Sequence, residues 1–429
     1  MDITIEKLIY GGEGLAHHDG STVFVPFVLP AERISVAPVE QKKKFIRARV
    51  QTLLEPSPDR AKPRCPHFGV CGGCDYQHIP YDAQLHFKTE ILRETLRRLG
   101  RIEWAGEIAA HASPPWGYRN RAQWKIRAPG DADGAPLAIG YFRADSSAIC
   151  SVDDCAVLSP LLLKTFLALR GALAAGSLPA EMREIEAFAG VGDSRLLVTA
   201  TFSKLPPRSA SLAKSIRGIL PEIESLVLDD PGHERMELDG PGFVECEASG
   251  SMYRVGHFSF FQVNRFLTDD LVGEVAGMES NGRLALDLFA GVGLFTLPLA
   301  KRFERVIAVE SNPAAARDLE SNSSARNTGG SGAIEVRTSD VDRFLEKCGE
   351  EPELVVLDPP RTGLTPGAIK QLVRVAPARI TYVSCEPPTL ARDLAALGKA
   401  GYDISEIQHF DLFPQTFHME AVVRLRRRL

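Results

Sequence analysis

The chain has 429 residues, of which 44% are hydrophobic and 24% charged, and its formal net charge is -5. That length exceeds what one hydrophobic core organises and predicts two or three domains. No apolar run approaches the roughly 18 residues of a membrane span, and the mild acidity excludes a uniformly basic coat while leaving room for a local basic groove.

The first residues, "MDITIEKLIYGGEG", show no basic stretch followed by an apolar one, so no secretory signal is expected and the chain is placed in the cytoplasm. Residues 1–54 alternate apolar and polar in short runs, "DITIEKLIY", "STVFVPFVL", "ERISVAPV" and "FIRARVQTLL", broken by "GGEG" and "HHDGS". This spacing predicts a small all-β barrel. The Pro-rich joint "EPSPDRAKPR" marks a boundary. Residues 81–100 place Leu85, Ile91, Leu92, Leu96 and Leu99 at helical spacing, with Asp82 as N-cap and Gly100 as stop. From about 117 to 250 β-type runs are interrupted by helical patterns near 157–174 and 208–218, which predicts an α+β section. After 258 strand, turn and helix alternate, the pattern of a parallel sheet covered on both faces.

Eight cysteines occur in the chain. Cys65, Cys71 and Cys74 cluster in "CPHFGVCGGC", and Cys150 and Cys155 follow in "CSVDDCAVL". In a reducing compartment such spacing points to zinc or an iron–sulfur cluster, and thiolate chemistry alone does not choose between them. Cys246 and Cys348 stand singly and read as inert.

In "LDLFAGVGLF" a turn carrying Phe289, Gly291 and Gly293 joins an apolar strand to a helix, where glycine lets the backbone approach a ligand. Glu310 ends the next strand and suits ribose hydroxyls. The third glycine of a dinucleotide fingerprint is missing, and Asp358-Pro359-Pro360 makes a rigid turn at the sheet's carboxyl edge, so S-adenosylmethionine is favoured over NAD.

"GGEGLAHHDGSTVFVPFVLP", "CPHFGVCGGCDYQH", "FFQVN", "DLFAGVGLF", "LDPPRTG", "SCEPPTLARDL" and "FPQTFHMEAV" stand in one order along the chain. With them the sequence resembles the RNA uracil-5-methyltransferase family over nearly its whole length. The resemblance implies three parts within a multi-domain α/β protein. Residues 1–54 would be a TRAM barrel of the oligonucleotide-binding type. Residues 55–257 would hold a [4Fe–4S] loop and a central α+β RNA-binding domain, and 258–429 a Rossmann-like methyltransferase domain. It further implies Cys155 as the fourth cluster ligand, Cys385 as nucleophile, Glu420 as base and Asp358 beside them. Cofactor contacts would come from Gln262, Phe289, Gly291, Gly293, Glu310, Asp340 and Asp358.

The chemistry fits these roles. C5 of uracil is a poor nucleophile until a thiolate adds to C6, and the C5 proton must then leave to a base. Two positions depart from the family pattern. Leu294 stands where asparagine is common, and Glu386 follows the nucleophile where asparagine is common; a carboxylate there raises the thiol pKa, so Glu386 is expected to turn away or pair with a cation. The implied partner is RNA, ribosomal favoured over transfer RNA, read as an unpaired loop uridine; neither DNA nor membrane is expected, and the chain is read as a monomer. Candidate phosphate contacts are Lys42, Lys43, Lys44, Arg119, Arg121, Lys125 and Arg127, with a solvated strand face as the other reading of the lysine run, and Trp116 and Trp124 either stack on bases or pack in the core. The competing functions are a methyltransferase for an exocyclic amine, which lacks the aromatic residue it needs because Arg361 follows the prolines, and a non-catalytic RNA-binding iron–sulfur protein.

Overall fold

The structure is a computed structural model and describes residues 1–127, 137–207, 209–277, 281–324 and 332–428. Six N-terminal strands, Asp2–Thr4, Lys7–Leu8, Glu13–His18, Ser21–Pro26, Arg33–Gln41 and Phe45–Glu55, form one curled sheet. Its two edge strands, Asp2–Thr4 and Lys7–Leu8, lie next to each other in the chain, so the sheet must bend back on itself. Ile5 N–H bonds to Glu32 O at 2.9 Å and Glu6 N–H to Leu15 O at 2.8 Å, which ties the two ends together. Ile5, Val23, Val25, Ile34 and Val36 fill the interior, the alternate positions of the runs noted above.

The helix expected over 81–100 is an α-helix over Tyr81–Thr95 that widens into a π turn over Leu96–Gly100. Two expectations fail here. Pro80, not Asp82, occupies the N-cap, and the end is set by Arg101 in the left-handed conformation (φ 55°) rather than by Gly100. The wider turn also shifts the apolar face, leaving Leu99 60% exposed. The helix buries Lys88 instead, whose ammonium meets the Asp411 carboxylate at 2.6 Å and Phe413 O at 3.1 Å. Both side chains are fully buried, and removing one partner of such a pair ordinarily costs about 3–5 kcal/mol.

The middle section is a seven-stranded sheet in the order Ile149–Ser151, Ala138–Phe142, Arg121–Arg127, Met182–Ala189, Leu196–Phe202, Ile223–Asp230, Arg235–Asp239. Helices Pro160–Ala174, with Ser159 capping Leu162 N–H, and Ser209–Ile219 cover it. Position 208 of the expected second helix lies outside the described residues. Trp124 is fully buried in this core, so it packs and does not stack on RNA.

The last sheet has eight strands, in the order Ala333–Thr338, Phe303–Glu310, Gly282–Leu288, Leu354–Leu357, Arg379–Ser384, Glu420–Arg427, Tyr402–Phe410, Ala109–His111. The first five run parallel and Glu420–Arg427 runs against both its neighbours. Leu284, Leu286 and Leu288 face a layer that includes Leu345, Leu372 and Leu394 of the helices Val341–Lys347, Pro366–Val375 and Pro387–Lys399. Ala285, Val306 and Val356 face the opposite layer, with Leu271 and Leu297. The hairpin Phe243–Ala248 and Ser251–Gly256 joins that second layer, where Gly256 N–H bonds to Asp318 Oδ2 at 2.7 Å. Among the described residues no helix is long and apolar enough to cross a membrane.

Candidate active site

Parallel strands end at one edge of a sheet, where open α/β sheets bind ligands. Here the residues after Leu288, Val309, Leu357 and Ser384 converge on that edge. Because Glu420–Arg427 is antiparallel, its first residue arrives at the same place. The register pairs Ala421 with Ser384, which sets Glu420 beside Cys385. The result is a cleft of about 870 Å³ lined by Gln262, Phe289, Gly291, Glu310, Asp340, Asp358, Cys385 and Glu420.

Gly291 N–H donates to Glu310 Oε2 at 2.8 Å, so the carboxylate braces the glycine turn while facing the cleft. Gly291 holds φ +55° and a Cβ there would meet nothing within 4 Å, so this backbone is open to a ligand. Gly293 does not line the cleft; at φ +95° its missing Cβ makes room for Leu319, 2.6 Å from where that atom would sit. Its task is therefore to pack the turn. Leu294 lines the cleft with an apolar side chain. Asp340 caps the helix Val341–Lys347, accepting from Asp342 N–H at 2.9 Å. Gln262 is buried at the cleft wall, and its carbonyl accepts from Asn120 Nδ2 at 3.3 Å.

Acids gather at this edge of the sheet, with Asp358 and Glu420 lining the cleft. Asp287 is fully buried; its Oδ2 accepts from Thr296 Oγ1 at 2.5 Å and its Oδ1 has no partner among the described residues. Burial pushes the Asp287 carboxyl up to about 7, and burial together with the Asp287 charge does the same to Asp358. Glu420 is pushed well above the usual carboxylate range by burial and by Asp358, with Arg361 opposing; its Oε1 is buried without a partner among the described residues. The half-buried Cys385 thiol is pushed up to about 12 by burial, then by Glu420 and Asp358; Arg361 pulls it down and Glu386 adds to the rise. Asp287 was not singled out in the sequence, although an acid inside the apolar "LDLF" is a visible signal. Among the described residues Glu386 pairs with no cation; it lies off the cleft lining and accepts a hydrogen bond from Tyr10 Oη at 2.9 Å.

A second, smaller cavity of about 120 Å³ is lined by Cys65, Cys71, Cys74 and Cys155, with Tyr141 Oη 3.7 Å from the Cys155 sulfur. Burial pushes the Cys71 and Cys74 thiols up to about 12 and raises Cys155 as well. Four thiols in one enclosed pocket fit a thiolate-bound group, since a bound metal stabilises the thiolates that burial alone disfavours. Among the described residues no set of three His, Cys, Asp or Glu side chains is closed up as a single-ion site. This loop also supports the cleft: Asp75 and Tyr76 N–H groups donate to Gln415 O at 2.9 Å each, and Phe417 N–H donates to Asp75 Oδ2 at 3.3 Å, just ahead of Glu420.

The candidate RNA contacts divide. Arg119 and Arg121 both line the cleft, but Arg121 is spent on Ser259 O at 3.0 Å and on Glu186 at 3.1 Å. Lys125 pairs with Glu184, and Lys42 with Glu40 at 2.8 Å. Lys43 and Lys44 are exposed, and Arg64 lies over the Trp116 ring at 5.0 Å.

The pattern of the tRNA (Uracil-5-)-methyltransferase family matches residues 342–428, the stretch that holds Asp358, Cys385 and Glu420. A TRM5/TYW2 methyltransferase domain pattern matches 271–361 and stops before Cys385. An uncharacterized RNA methyltransferase of Aquifex aeolicus is 32% identical over 99% of this chain and 98% of its own length. The 23S rRNA (uracil(1939)-C(5))-methyltransferase RlmD of Salmonella paratyphi A is 35% identical, covering 100% of this chain and 96% of its own. The crystal structure of Pyrococcus abyssi tRNA (uracil-54, C5)-methyltransferase with S-adenosyl-L-homocysteine superposes with a TM-score of 0.74 at 28% identity, covering 99% of this chain and 100% of that one. With these relatives spanning it end to end, the chain belongs to the RNA uracil-5-methyltransferase family.

Proposed function

We propose that this protein transfers the methyl group of S-adenosylmethionine to C5 of one unpaired uridine in 23S rRNA, acting as a cytoplasmic monomer through a transient bond from Cys385 to C6. The observation that carries the reading is the buried Glu420 oxygen, without a partner among the described residues, held beside the Cys385 thiol by the pairing of Ser384 with Ala421. Gln262, Phe289, Gly291, Glu310, Asp340 and Asp358 would hold the cofactor. S-adenosylmethionine supplies an electrophilic methyl on a sulfonium. Cys385 adds as thiolate to C6, which moves the electron pair to C5; C5 takes the methyl, Glu420 removes the C5 proton, and the returning pair expels the Cys385 thiolate. Relatives named for 23S rRNA match at 35% identity, against 28% for the tRNA-named structure, and this favours ribosomal RNA.

The test is incubation of the protein with methyl-labelled S-adenosylmethionine and, separately, unmodified 23S rRNA and tRNA. Label in 5-methyluridine of the 23S rRNA is expected. Label confined to tRNA would remove the ribosomal assignment, and label in a methylated purine would remove the C5 chemistry.

In the same reading, residues 1–54 act as a TRAM domain of the oligonucleotide-binding type, 55–257 as the cluster-bearing RNA-binding domain and 258–429 as a Rossmann-like catalytic domain. Cys65, Cys71, Cys74 and Cys155 would hold a [4Fe–4S] cluster that fixes the loop beneath Gln415 and Phe417. Anaerobically purified protein should be brown and carry iron and sulfide, and Cys155→Ser should lose both. A colourless protein with stoichiometric zinc in place of iron overturns the cluster assignment.

A further inference from the structure

The turn that follows the strand Lys7–Leu8 of the N-terminal sheet sets one side chain against the residue next to Cys385. "YGGEG" reverses the chain after the strand Lys7–Leu8, with Ile9 N–H bonded to Glu13 O at 2.9 Å and Gly11 and Gly12 at φ +103° and +85°. A Cβ on Gly12 would stand 3.3 Å from the Phe417 ring and 3.4 Å from Asp75 Cβ, so glycine lets the turn press on the loop that leads to Glu420. Tyr10 then reaches over, its ring edge-on to Phe417 (centroids 5.5 Å apart, planes at 89°), and its hydroxyl donates to Glu386 Oε2 at 2.9 Å.

Glu386 directly follows Cys385, and its backbone is held in place, with its N–H bonded to Ser384 Oγ at 3.2 Å. Only the side chain is left to choose a direction, and Tyr10 fixes it. The charged and titratable groups that face the Cys385 thiol are Glu420, Asp358, Arg361, Glu386 and Tyr10. Three of these are carboxyls, Glu386 among them, and one is a cation, so a freely swinging Glu386 side chain would add to the opposition already present. Burial first, and then the Glu386 charge, push the Tyr10 hydroxyl far above its ordinary value, which keeps it a neutral donor through the physiological range.

We infer that Tyr10 is a positioning residue for catalysis, one through which the N-terminal sheet restrains the Glu386 carboxylate beside Cys385 and limits its opposition to thiolate formation. The inference rests on Cys385 being the nucleophile. It assigns the N-terminal sheet a role in the chemistry in addition to any contact with RNA.

The test uses Tyr10→Phe, Glu386→Gln and the double variant of the full-length, cofactor-competent protein. Tyr10→Phe keeps the ring against Phe417 and removes only the donor. The pH dependence of iodoacetamide alkylation at Cys385, followed by peptide mass mapping, and of methyl transfer to 23S rRNA should both move upward in Tyr10→Phe. A shift of about one unit corresponds to about tenfold slower reaction at neutral pH, recovered at alkaline pH. Glu386→Gln should move both profiles downward, and adding Tyr10→Phe to it should change nothing further. An unmoved alkylation profile in Tyr10→Phe overturns the inference, as does an equal loss in the Glu386→Gln background. Undiminished methyl transfer by Cys385→Ser overturns the reading of Cys385 beneath it, and the two failures are visible separately.

Discussion

Cys385→Ser should lower methyl transfer to 23S rRNA by about 10⁴-fold or more, the scale on which enzymes lose activity when a covalent nucleophile is removed, while binding of S-adenosylmethionine measured by calorimetry stays unchanged. Serine keeps the size of the side chain but its hydroxyl does not ionise near neutral pH, so nothing adds to C6. The protein environment sharpens this dependence. With burial, Glu420 and Asp358 holding the thiol up at about 12, the protonated form dominates at neutral pH. The reactive thiolate is then the minor form, and its fraction rises tenfold per pH unit until the thiol pKa is reached. For the wild-type protein kcat/KM should therefore climb with pH across the neutral range, and Cys385→Ser should show no such limb. A serine variant that methylates at the wild-type rate removes Cys385 from the chemistry.

What the sequence makes legible, and what it hides, divides by distance along the chain. The turn "AGVG", the acid Glu310 and the Asp358-Pro359-Pro360 turn each declare themselves within a few residues, because strand, turn and helix are local patterns. Glycine at 291 and 293 reads as one motif. The structure separates them, since only Gly291 opens on the cleft and Gly293 accommodates Leu319. Cys385 and Glu420 become neighbours through an antiparallel register that no local pattern encodes. The same holds for Ala109–His111, which joins the last sheet beside Tyr402–Phe410, and for Lys88, a fully buried partner of Asp411. Leu99 fails because a π turn rotates it out of the core, and for Trp124 alternation along Arg121–Arg127 decides between stacking and core packing in favour of packing.

Glu386 is the most instructive of these cases. Electrostatics alone asks that it turn away or pair with a cation, because a like charge next to a thiol that must ionise is unfavourable. The chain meets the demand with a neutral donor, Tyr10, 376 positions away. A hydroxyl restrains a carboxylate without neutralising it, and this leaves Arg361 as the cation acting on both Cys385 and Glu420. Asp358 acts on both as well, so the four side chains respond together to any charge that enters the cleft.

That coupling sets up the second large effect. Glu420→Gln should reduce turnover by about 10²–10⁴-fold and accumulate a protein–RNA species that survives denaturing electrophoresis and carries one labelled methyl. Glutamine matches glutamate in shape but accepts no proton, so after the methyl reaches C5 the ring keeps its C5 hydrogen and Cys385 stays bonded to C6. Unfolding does not offer a rival explanation for the lost turnover. Burial raises the Glu420 carboxyl in the folded protein, so its contribution to stability is full below the ordinary carboxylate range and is lost as pH rises through its raised value. The glutamine variant escapes that loss and should be at least as stable as the wild type at neutral pH, which thermal unfolding will report. Adding Cys385→Ser should abolish the covalent species and identify the bonded atom. Wild-type turnover by Glu420→Gln, with no trapped RNA, would assign removal of the C5 proton to another group.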